Sequence, residues 1–172
     1  SQDCFVQFAA GWYHSLGLKD DGTVVAWAGS QNAGMTSPPS FGETDVPEDL
    51  SDVIHIAAGN YHSLALKSDS TVVAWGLNED GQTDVPPGLS GVIAIEGGQC
   101  HSLALKSNGE VVAWGCNQYG ATDVPEDLSD AIAISTGFYF SLAIKSDSTV
   151  IAWGQDNFGV TEIPDNLTNV ID

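Results

Sequence analysis

The chain has 172 residues, 42% of them hydrophobic, and carries 23 acidic side chains against four lysines, for a formal net charge of −19. A chain of this length and apolar content can bury a hydrophobic core. Its negative charge excludes direct binding to the phosphate backbone of DNA or RNA, and favours basic partners, cations or a salty medium.

The N-terminal segment, SQDCFVQFAAG, has no basic region followed by a long apolar stretch, so it lacks the pattern of a signal peptide. It also fits the mature end of a processed protein, and an extracellular or secreted location is favoured. No run of eighteen apolar residues occurs, so we expect no membrane insertion.

Proline, tryptophan and lysine each recur at a spacing of 39 positions. Proline keeps this spacing through all four repeats, whereas tryptophan and lysine keep it from the second repeat onwards. The first repeat carries nine extra residues, between Trp27 and Pro47. Repeats are expected at approximately 5–52, 53–91, 92–130 and 131–169, with the start of a fifth at 170–172.

Each repeat predicts three short strands, which in the second repeat are VIHIAAG, HSLALK and TVVAWG, with the turn SDS between the last two. The rest of the repeat is rich in Gly, Pro, Asn and Asp, which predicts a connection. One such sheet cannot bury both of its faces, but copies stacked around an axis can. The sequence therefore predicts an all-β fold, a β-propeller of four mainly three-stranded blades, with residues 1–172 as a single propeller or half-propeller domain.

Side-chain size predicts which strand lies nearest the axis. The small-residue segments AAG, EGG and STG end the first strands of repeats two to four and fit where strands converge. The four tryptophans of the third strands are expected in the core between blades, at Trp27, Trp75, Trp114 and Trp153.

The segment VIHIAAGNYHSLALKSDSTVVAWGLNEDGQTDVP closely resembles the repeats of the regulator of chromosome condensation family, and the resemblance covers nearly the whole chain. The short repeats are similar to the bacterial type, including those of the propeller-type β-lactamase inhibitory protein. The resemblance implies a β-propeller. The chain departs from the pattern at Ala28, at Phe140, and at Ala121 and Val160.

Family rings usually have about seven blades, so four visible repeats leave ring closure open. Four-bladed rings are the lower limit of the fold. A fragment of a longer array is a second arrangement. A homodimer that closes an eight-bladed ring with two-fold symmetry is favoured over both.

One face of the propeller is expected to carry a partner-binding surface. The turns after the first strands and the exits after the third strands vary between repeats and stay rich in aromatic residues, which is typical of a binding surface. Met35 and Phe41 of the first-repeat insertion are expected to join them, and a lid over the core is the alternative role for the tyrosines. The predicted partner-binding residues are Trp12, Tyr13, Asn60, Tyr61, Leu77, Gln99, Tyr119, Phe138, Tyr139 and Phe158.

The opposite face is expected to be acidic, since hairpin tips place Asp20, Asp21, Asp69 and Asp147 there. A solvated surface explains this pattern, and a docking patch for a basic partner is the more specific alternative.

Catalytic chemistry finds little support. The HS pairs at His14, His62 and His101 repeat with the fold, and adjacent strand residues point to opposite faces, so they predict hydrogen bonds to a neighbouring blade's backbone. A metal-binding ring of histidines is disfavoured because Phe140 interrupts the set, and the segment NEDGQTD does not keep its acidic ligands in the other repeats. We expect no catalytic residues, no metal and no cofactor.

The cysteines leave one alternative open. If Lys106 faces Glu110 across a hairpin, Cys100 lies opposite Cys116, where the two either form a disulfide or remain separate thiols.

Two classes of function remain. The first is a non-catalytic protein-binding propeller acting as an interaction, scaffold or inhibitor module. The alternative is a lectin-like carbohydrate-binding propeller. The differences between loops favour one extended protein interface over repeated sugar pockets.

Overall fold

The computed structural model describes residues 4–28, 40–164, 167 and 170. Over these residues the chain forms four separate three-stranded antiparallel sheets, which confirms the all-β prediction. The strands are β1 Phe5–Ala10, β2 His14–Lys19, β3 Val24–Ala28, β4 Val53–Ala58, β5 His62–Lys67, β6 Val72–Gly76, β7 Val92–Gly97, β8 His101–Lys106, β9 Val111–Gly115, β10 Ala131–Thr136, β11 Phe140–Lys145 and β12 Val150–Gly154.

Each sheet is one blade, with its strands in chain order and the second strand in the middle. The consecutive apolar residues of HSLALK point to both faces of the blade, because successive strand residues point to opposite sides. Leu64 and Ala65 in this strand are both fully buried, since a neighbouring blade covers each face. The sequence pattern therefore builds a sheet that is stable only between two others.

The core lies in the three gaps between consecutive blades. In the first gap, Leu16 and Leu18 of the first blade pack with Val53, Ile56 and Trp75 of the second. Equivalent residues fill the second and third gaps. Each blade thus has a leading face, which packs on the blade before it, and a trailing face, which packs on the blade after it.

The first strands lie innermost, as their small residues predict. The ends of β1, β4, β7 and β10 surround one central cavity. Each blade packs on the next, whereas no comparable contact joins the described strands of the first and fourth blades. The four blades therefore form an arc with two exposed ends.

The arc corrects one expectation about the core. Trp75, Trp114 and Trp153 are each 7% exposed, but Trp27 is 44% exposed. The preceding blade covers the tryptophan of each later blade, and among the described residues no blade precedes the first. The expectation that Trp27 lies in the core is wrong for this reason.

Candidate functional site

Seven aromatic rings form a continuous row across one face of the arc, which we call the aromatic strip. Consecutive ring centroids are 5.1, 5.3, 5.6, 5.5, 4.8 and 5.1 Å apart. In order along the row, the rings belong to Phe41, Tyr61, Tyr13, Trp12, Phe138, Tyr139 and Tyr119.

Loops on the same side of every blade position the strip. Trp12, Tyr13, Tyr61, Phe138 and Tyr139 lie in the turns between the first and second strands. The remaining two rings come from the exits that follow the third strands. Because the arc brings the fourth blade round towards the first, Trp12 meets Phe138 although their blades are not neighbours in the chain.

Tyr119 takes an unusual backbone conformation. It lies in the short 3₁₀ turn Gln118–Gly120 with φ of 70°, a left-handed conformation that costs a residue with a side chain about 1–2 kcal/mol. Strain of this kind persists where the surrounding structure holds it and is common at binding sites. It places the Tyr119 ring against Tyr139 at the end of the strip.

The strip is an exposed surface. Trp12 is 54% exposed, Tyr119 49% and Phe138 45%, while Tyr61 and Tyr139 are half-buried. Burial and the neighbouring Tyr13 and Glu43 raise the pKa of Tyr61, so its ring carries no charge at neutral pH. The lid role for the tyrosines therefore fits Tyr61 and Tyr139 in part, but does not account for Trp12, Phe138 or Tyr119.

A cavity of about 200 Å³ opens beside the strip at the axis of the arc. Its wall includes glycines from all four blades, together with Trp12, Asn60, Gln99 and Phe138. The Nδ2 atom of Asn60 and the Oε1 atom of Gln99 are buried and have no hydrogen-bond partner among the described residues. The glycines are required here: a Cβ at Gly59 would lie 2.5 Å from the carbonyl oxygen of Gly98 in the next blade.

The ten residues predicted for the site fall into four groups. Six of them lie in the aromatic strip, and Asn60 and Gln99 line the cavity beside it. Leu77 donates its backbone N–H to the Tyr61 carbonyl and so borders the strip. Phe158 is 91% exposed and has no ring contact within the described residues. Phe41 joins the strip as expected, and Met35 lies outside the described residues.

The acidic hairpin tips on the opposite face have a local structural role. The carboxylates of Asp21, Asp69 and Asp147 each accept hydrogen bonds from the backbone N–H and the hydroxyl of a threonine two residues later. These bonds lower the pKa of all three carboxyls. The tips therefore stay ionised and ordered at neutral pH.

The repeated histidines bind the next blade through a serine. Nε2 of His14, His62 and His101 lies 2.9, 3.0 and 3.2 Å from Oγ of Ser63, Ser102 and Ser141. Each serine hydroxyl in turn donates to a backbone carbonyl of the blade before it. The serine must therefore accept a hydrogen bond from the histidine. The expectation that the histidine bonds the neighbouring backbone directly is wrong, because the histidine bonds the serine hydroxyl and the serine bonds the backbone.

This geometry makes the histidines structural. Burial lowers the pKa of His62 to about 3 and that of His101 to about 4, so both are neutral at pH 7. Ser63, Ser102 and Ser141 are fully buried and their protons are already engaged by carbonyl oxygens. Such a pair holds two blades together and has no hydroxyl free to attack a substrate.

No cluster of three metal-ligating side chains occurs among the residues that the structure describes. In the loop 78–84, the Asn78 amide donates to Asp84 and the Gln82 side chain accepts the Asp80 N–H, so these oxygens hold the loop itself. No helix of the described chain has the length and hydropathy needed to cross a membrane.

Cys100 and Cys116 form a disulfide, which resolves the alternative that the hairpin register left open. Their Cα atoms are 5.4 Å apart, next to the paired residues His101 and Gly115. Cys100 takes the position that Tyr13, Tyr61 and Tyr139 occupy in the other blades. At this position the third blade therefore has a disulfide, whereas each of the other blades has a tyrosine of the strip.

The fold matches solved propellers from several organisms. Prp20p from Saccharomyces cerevisiae, whose structure was described with its binding to Gsp1p and histones, is 24% identical with a TM-score of 0.74, over 96% of this chain and 47% of that one. Human WBSCR16 is 22% identical with a TM-score of 0.73, over 98% of this chain and 54% of that one. The computationally designed Ika4 protein is 17% identical with a TM-score of 0.53, over 90% of this chain and 92% of that one.

The chain spans about half the length of the natural propellers it matches. It superposes better on half of these longer chains than on the whole of the designed chain, which agrees with an open arc. The chain has no significant match among curated protein sequences.

The sequence profile described as the regulator of chromosome condensation (RCC1) repeat matches the chain four times, at residues 5–27, 53–82, 92–121 and 131–160. Each match covers one blade, from the start of its first strand to its third strand or the exit that follows. The chain therefore belongs to the regulator of chromosome condensation repeat family.

Proposed function

We propose that this chain is a non-catalytic protein-binding propeller module that contacts its partner through the aromatic strip. The observation that carries the proposal is the row of seven rings in contact, contributed by loops of all four repeats. Tyr and Trp supply large contact areas at low conformational cost, and exposed clusters of them are typical of interface hot spots.

The form of the strip favours a protein over a sugar as the ligand. Repeated sugar sites would place equivalent residues in equivalent pockets, one per blade. Here the residues equivalent to Trp12 are Asn60, Gln99 and Phe138, so each blade presents a different side chain at this position. One extended and uneven surface suits one macromolecular partner, and no observation supports the lectin-like alternative.

One relative with this fold binds several proteins. Yeast Prp20p binds Gsp1p and histones, and the same protein, also called yeast RCC1, has been crystallised with Kap60. The formal charge of −19 on this chain favours a basic partner, because long-range attraction would speed their encounter. We therefore expect the association rate to fall as salt is added.

We also propose that the chain forms a homodimer in which two arcs complete a ring. The first-blade end of the arc exposes apolar side chains, including Phe8 at 65% and Trp27 at 44%, and at the fourth-blade end Leu142 and Ile144 are only half-buried. Two-fold symmetric dimers are the commonest homo-oligomers, and two such arcs would contain eight blades.

The test of the binding proposal begins with cross-linking to the chain, identification of the linked protein by mass spectrometry, and calorimetry with that purified protein. We expect Trp12→Ser and Tyr61→Ser to weaken binding by about ten- to a hundred-fold each. Phe158→Ser is the control, since it removes an exposed ring outside the strip.

Three outcomes would contradict the proposal. One is binding that survives both strip substitutions but is lost when Asp69 and Asp147 become Asn, which would assign it to the acidic face. Another is specific recognition on a glycan array that requires Trp12. The third is equal loss with Phe158→Ser.

A further inference from the structure

The two ends of the arc carry the two halves of a junction that the chain forms three times internally. The leading face of the first blade, defined by Phe5, Phe8, Gly17, Val25 and Trp27, has no described blade in front of it. The trailing face of the fourth blade, defined by Ala133, Leu142, Ile144 and Val150, lines an apolar groove of about 240 Å³.

Each internal junction contains the same polar bond. A serine hydroxyl and a tryptophan Nε1 of one blade both donate to a single carbonyl oxygen in the exit loop of the blade before it. At the first junction Ser63 and Trp75 donate to the Glu43 carbonyl, at 2.8 and 2.9 Å. The same pair of bonds reaches the Gln82 carbonyl from the third blade and the Ala121 carbonyl from the fourth.

Each internal junction also contains the same apolar contact. Two residues of the middle strand on the trailing face, such as Leu16 and Leu18, pack against the Trp and Ala of the next blade. These leucines are buried at all three junctions. Leu142 and Ile144 hold the equivalent places in the fourth blade and are only half-buried.

One complete set of partners is left over at the ends. The repeat places the carbonyl of Val160 where those of Glu43, Gln82 and Ala121 lie in the earlier blades. It places Ser15 and Trp27 where the donor pairs lie in the later blades. Among the described residues neither Ser15 Oγ nor Trp27 Nε1 has such an acceptor, because the blade that would supply it is absent from the arc.

We infer that the trailing face of one copy docks on the leading face of a second copy, so that Ser15 and Trp27 of each copy donate to the Val160 carbonyl of the other. This inference rests on the homodimer proposed above and specifies it as head-to-tail. The occupant is a second copy because each end face continues an interface that the chain already makes with itself. Two-fold symmetry then forms the junction twice.

The junction between copies is more apolar than the internal ones. Phe140 replaces the histidine that would bond Ser15, and it takes the same position against Gly137 that His101 takes against Gly98. Phe5 and Phe8 replace the smaller Val53 and Ile56 and stack with centroids 5.3 Å apart. Gly17 replaces Ala65 and leaves room for the Phe5 and Trp27 rings. Greater apolar character is typical of interfaces between permanent subunits.

The C-terminal part of the chain competes for the groove. Val170 lines it beside Leu142 and Ile144, as Val53 packs beside Leu16 and Leu18 at the first junction. In the dimer, Phe5 of the second copy takes this place, so Val170 has to move aside. Val170→Asp should therefore tighten the dimer.

The test is the native mass by light scattering, with folding of each variant checked by circular dichroism. Phe8→Glu breaks the leading face and Leu142→Glu breaks the trailing face, and each alone should raise the dimer dissociation constant by about 100-fold. Mixed together, the two variants should form a dimer, since the trailing face of one and the leading face of the other are intact. Phe158→Glu is the control and should leave the mass of a dimer.

Other outcomes overturn the inference in distinguishable ways. A wild-type monomer at about 100 μM, in the concentration range where weak interfaces assemble, removes the homodimer itself. A dimer that survives Leu142→Glu but not Phe8→Glu shows that two leading faces meet, and failure of the mixed variants to associate also rejects the head-to-tail arrangement. Partner binding by monomeric Phe8→Glu would show that the aromatic strip acts independently of either result.

Discussion

The Nε2 atom of His62 and the Oγ atom of Ser102 lie 3.0 Å apart across the boundary between the second and third blades. The Ser102 hydroxyl donates a hydrogen bond to the Gln82 carbonyl, which also accepts one from Trp114 Nε1. One buried carbonyl thus fastens two side chains of the next blade, and the histidine closes the network. The arrangement recurs at each junction because a buried hydroxyl and a buried indole N–H both need an acceptor, although Nδ1 of His62 has no partner among the described residues.

Removal of the serine hydroxyl should therefore destabilise the protein strongly. Ser102→Ala deletes two hydrogen bonds and leaves the His62 Nε2–H buried without an acceptor, which should lower the free energy of unfolding by about 2–4 kcal/mol. Denaturant unfolding measures the change. Ser15→Ala in the monomeric Phe8→Glu background is the matched control and should change stability by less than about 0.5 kcal/mol. Equal losses at both sites would contradict the network.

The buried histidines should make stability depend on pH. Because the folded pKa values of His62 and His101 lie near 3 and 4, below the ordinary value of 6.5, the unfolded chain binds protons first as the pH falls. The contribution of each histidine to stability is fully present above pH 6.5 and declines as the pH falls, to pH 4 for His101 and to pH 3 for His62, by about 1.4 kcal/mol per pH unit for each histidine.

His101→Phe isolates one of these protons. The substitution copies Phe140 of the fourth blade, and it should reduce the slope of stability against pH by about 1.4 kcal/mol per unit. The acidic side chains contribute equally to both proteins, so the difference in slope reports His101 together with its effect on the pKa of His62. An unchanged slope would mean that His101 is protonated as easily in the folded protein as in the unfolded chain.

The sequence predicts the blades well because strand and turn patterns are local. It does not predict which residues the ends of the arc leave exposed, since Trp27 and Trp75 both follow the same four residues, TVVA. Nor does strict alternation give the faces of β4: a bulge after Val53 leaves Ile54 58% exposed, while Val53 and Ile56 share one buried face. A bulge adds a residue without a marker in a single sequence.

For the candidate site too, the sequence predicts the local features and not those that depend on how the blades are arranged. Variable aromatic turns indicate the face, because they depart from the repeat at fixed positions. The meeting of Trp12 with Phe138 depends on the curvature of the arc, which a spacing of residues cannot give. The cavity beside them arises for the same reason.

The disulfide should contribute measurably to stability. Cys100 and Cys116 close a loop with a sequence separation of 16, and a loop of this size constrains the unfolded chain by about 3 kcal/mol in the chain-entropy model. Substitution of both cysteines by serine should lower the free energy of unfolding by about 2–3 kcal/mol, and reduction of the wild type should match it. Cys4→Ser is the control, since Cys4 is exposed and free. A loss with Cys4→Ser, or none with the double variant, would contradict this assignment.

The hairpin turns on the acidic face offer a stabilising change. Gly22 and Gly109 have φ of 79° and 83°, and the equivalent Ser70 and Ser148 have φ of 66°. A side chain in this left-handed conformation costs about 1–2 kcal/mol, while glycine gives up about 0.5–1 kcal/mol through its greater freedom when unfolded. Ser70→Gly should therefore raise the free energy of unfolding by about 0.5–1 kcal/mol, and Ser148→Gly should do the same.

Ser68→Gly in the same turn, where φ is not positive, should instead lower it by about 0.5 kcal/mol. Thermal unfolding of the three variants checks the sign, and stabilisation by Ser68→Gly would show that backbone strain is not the cause.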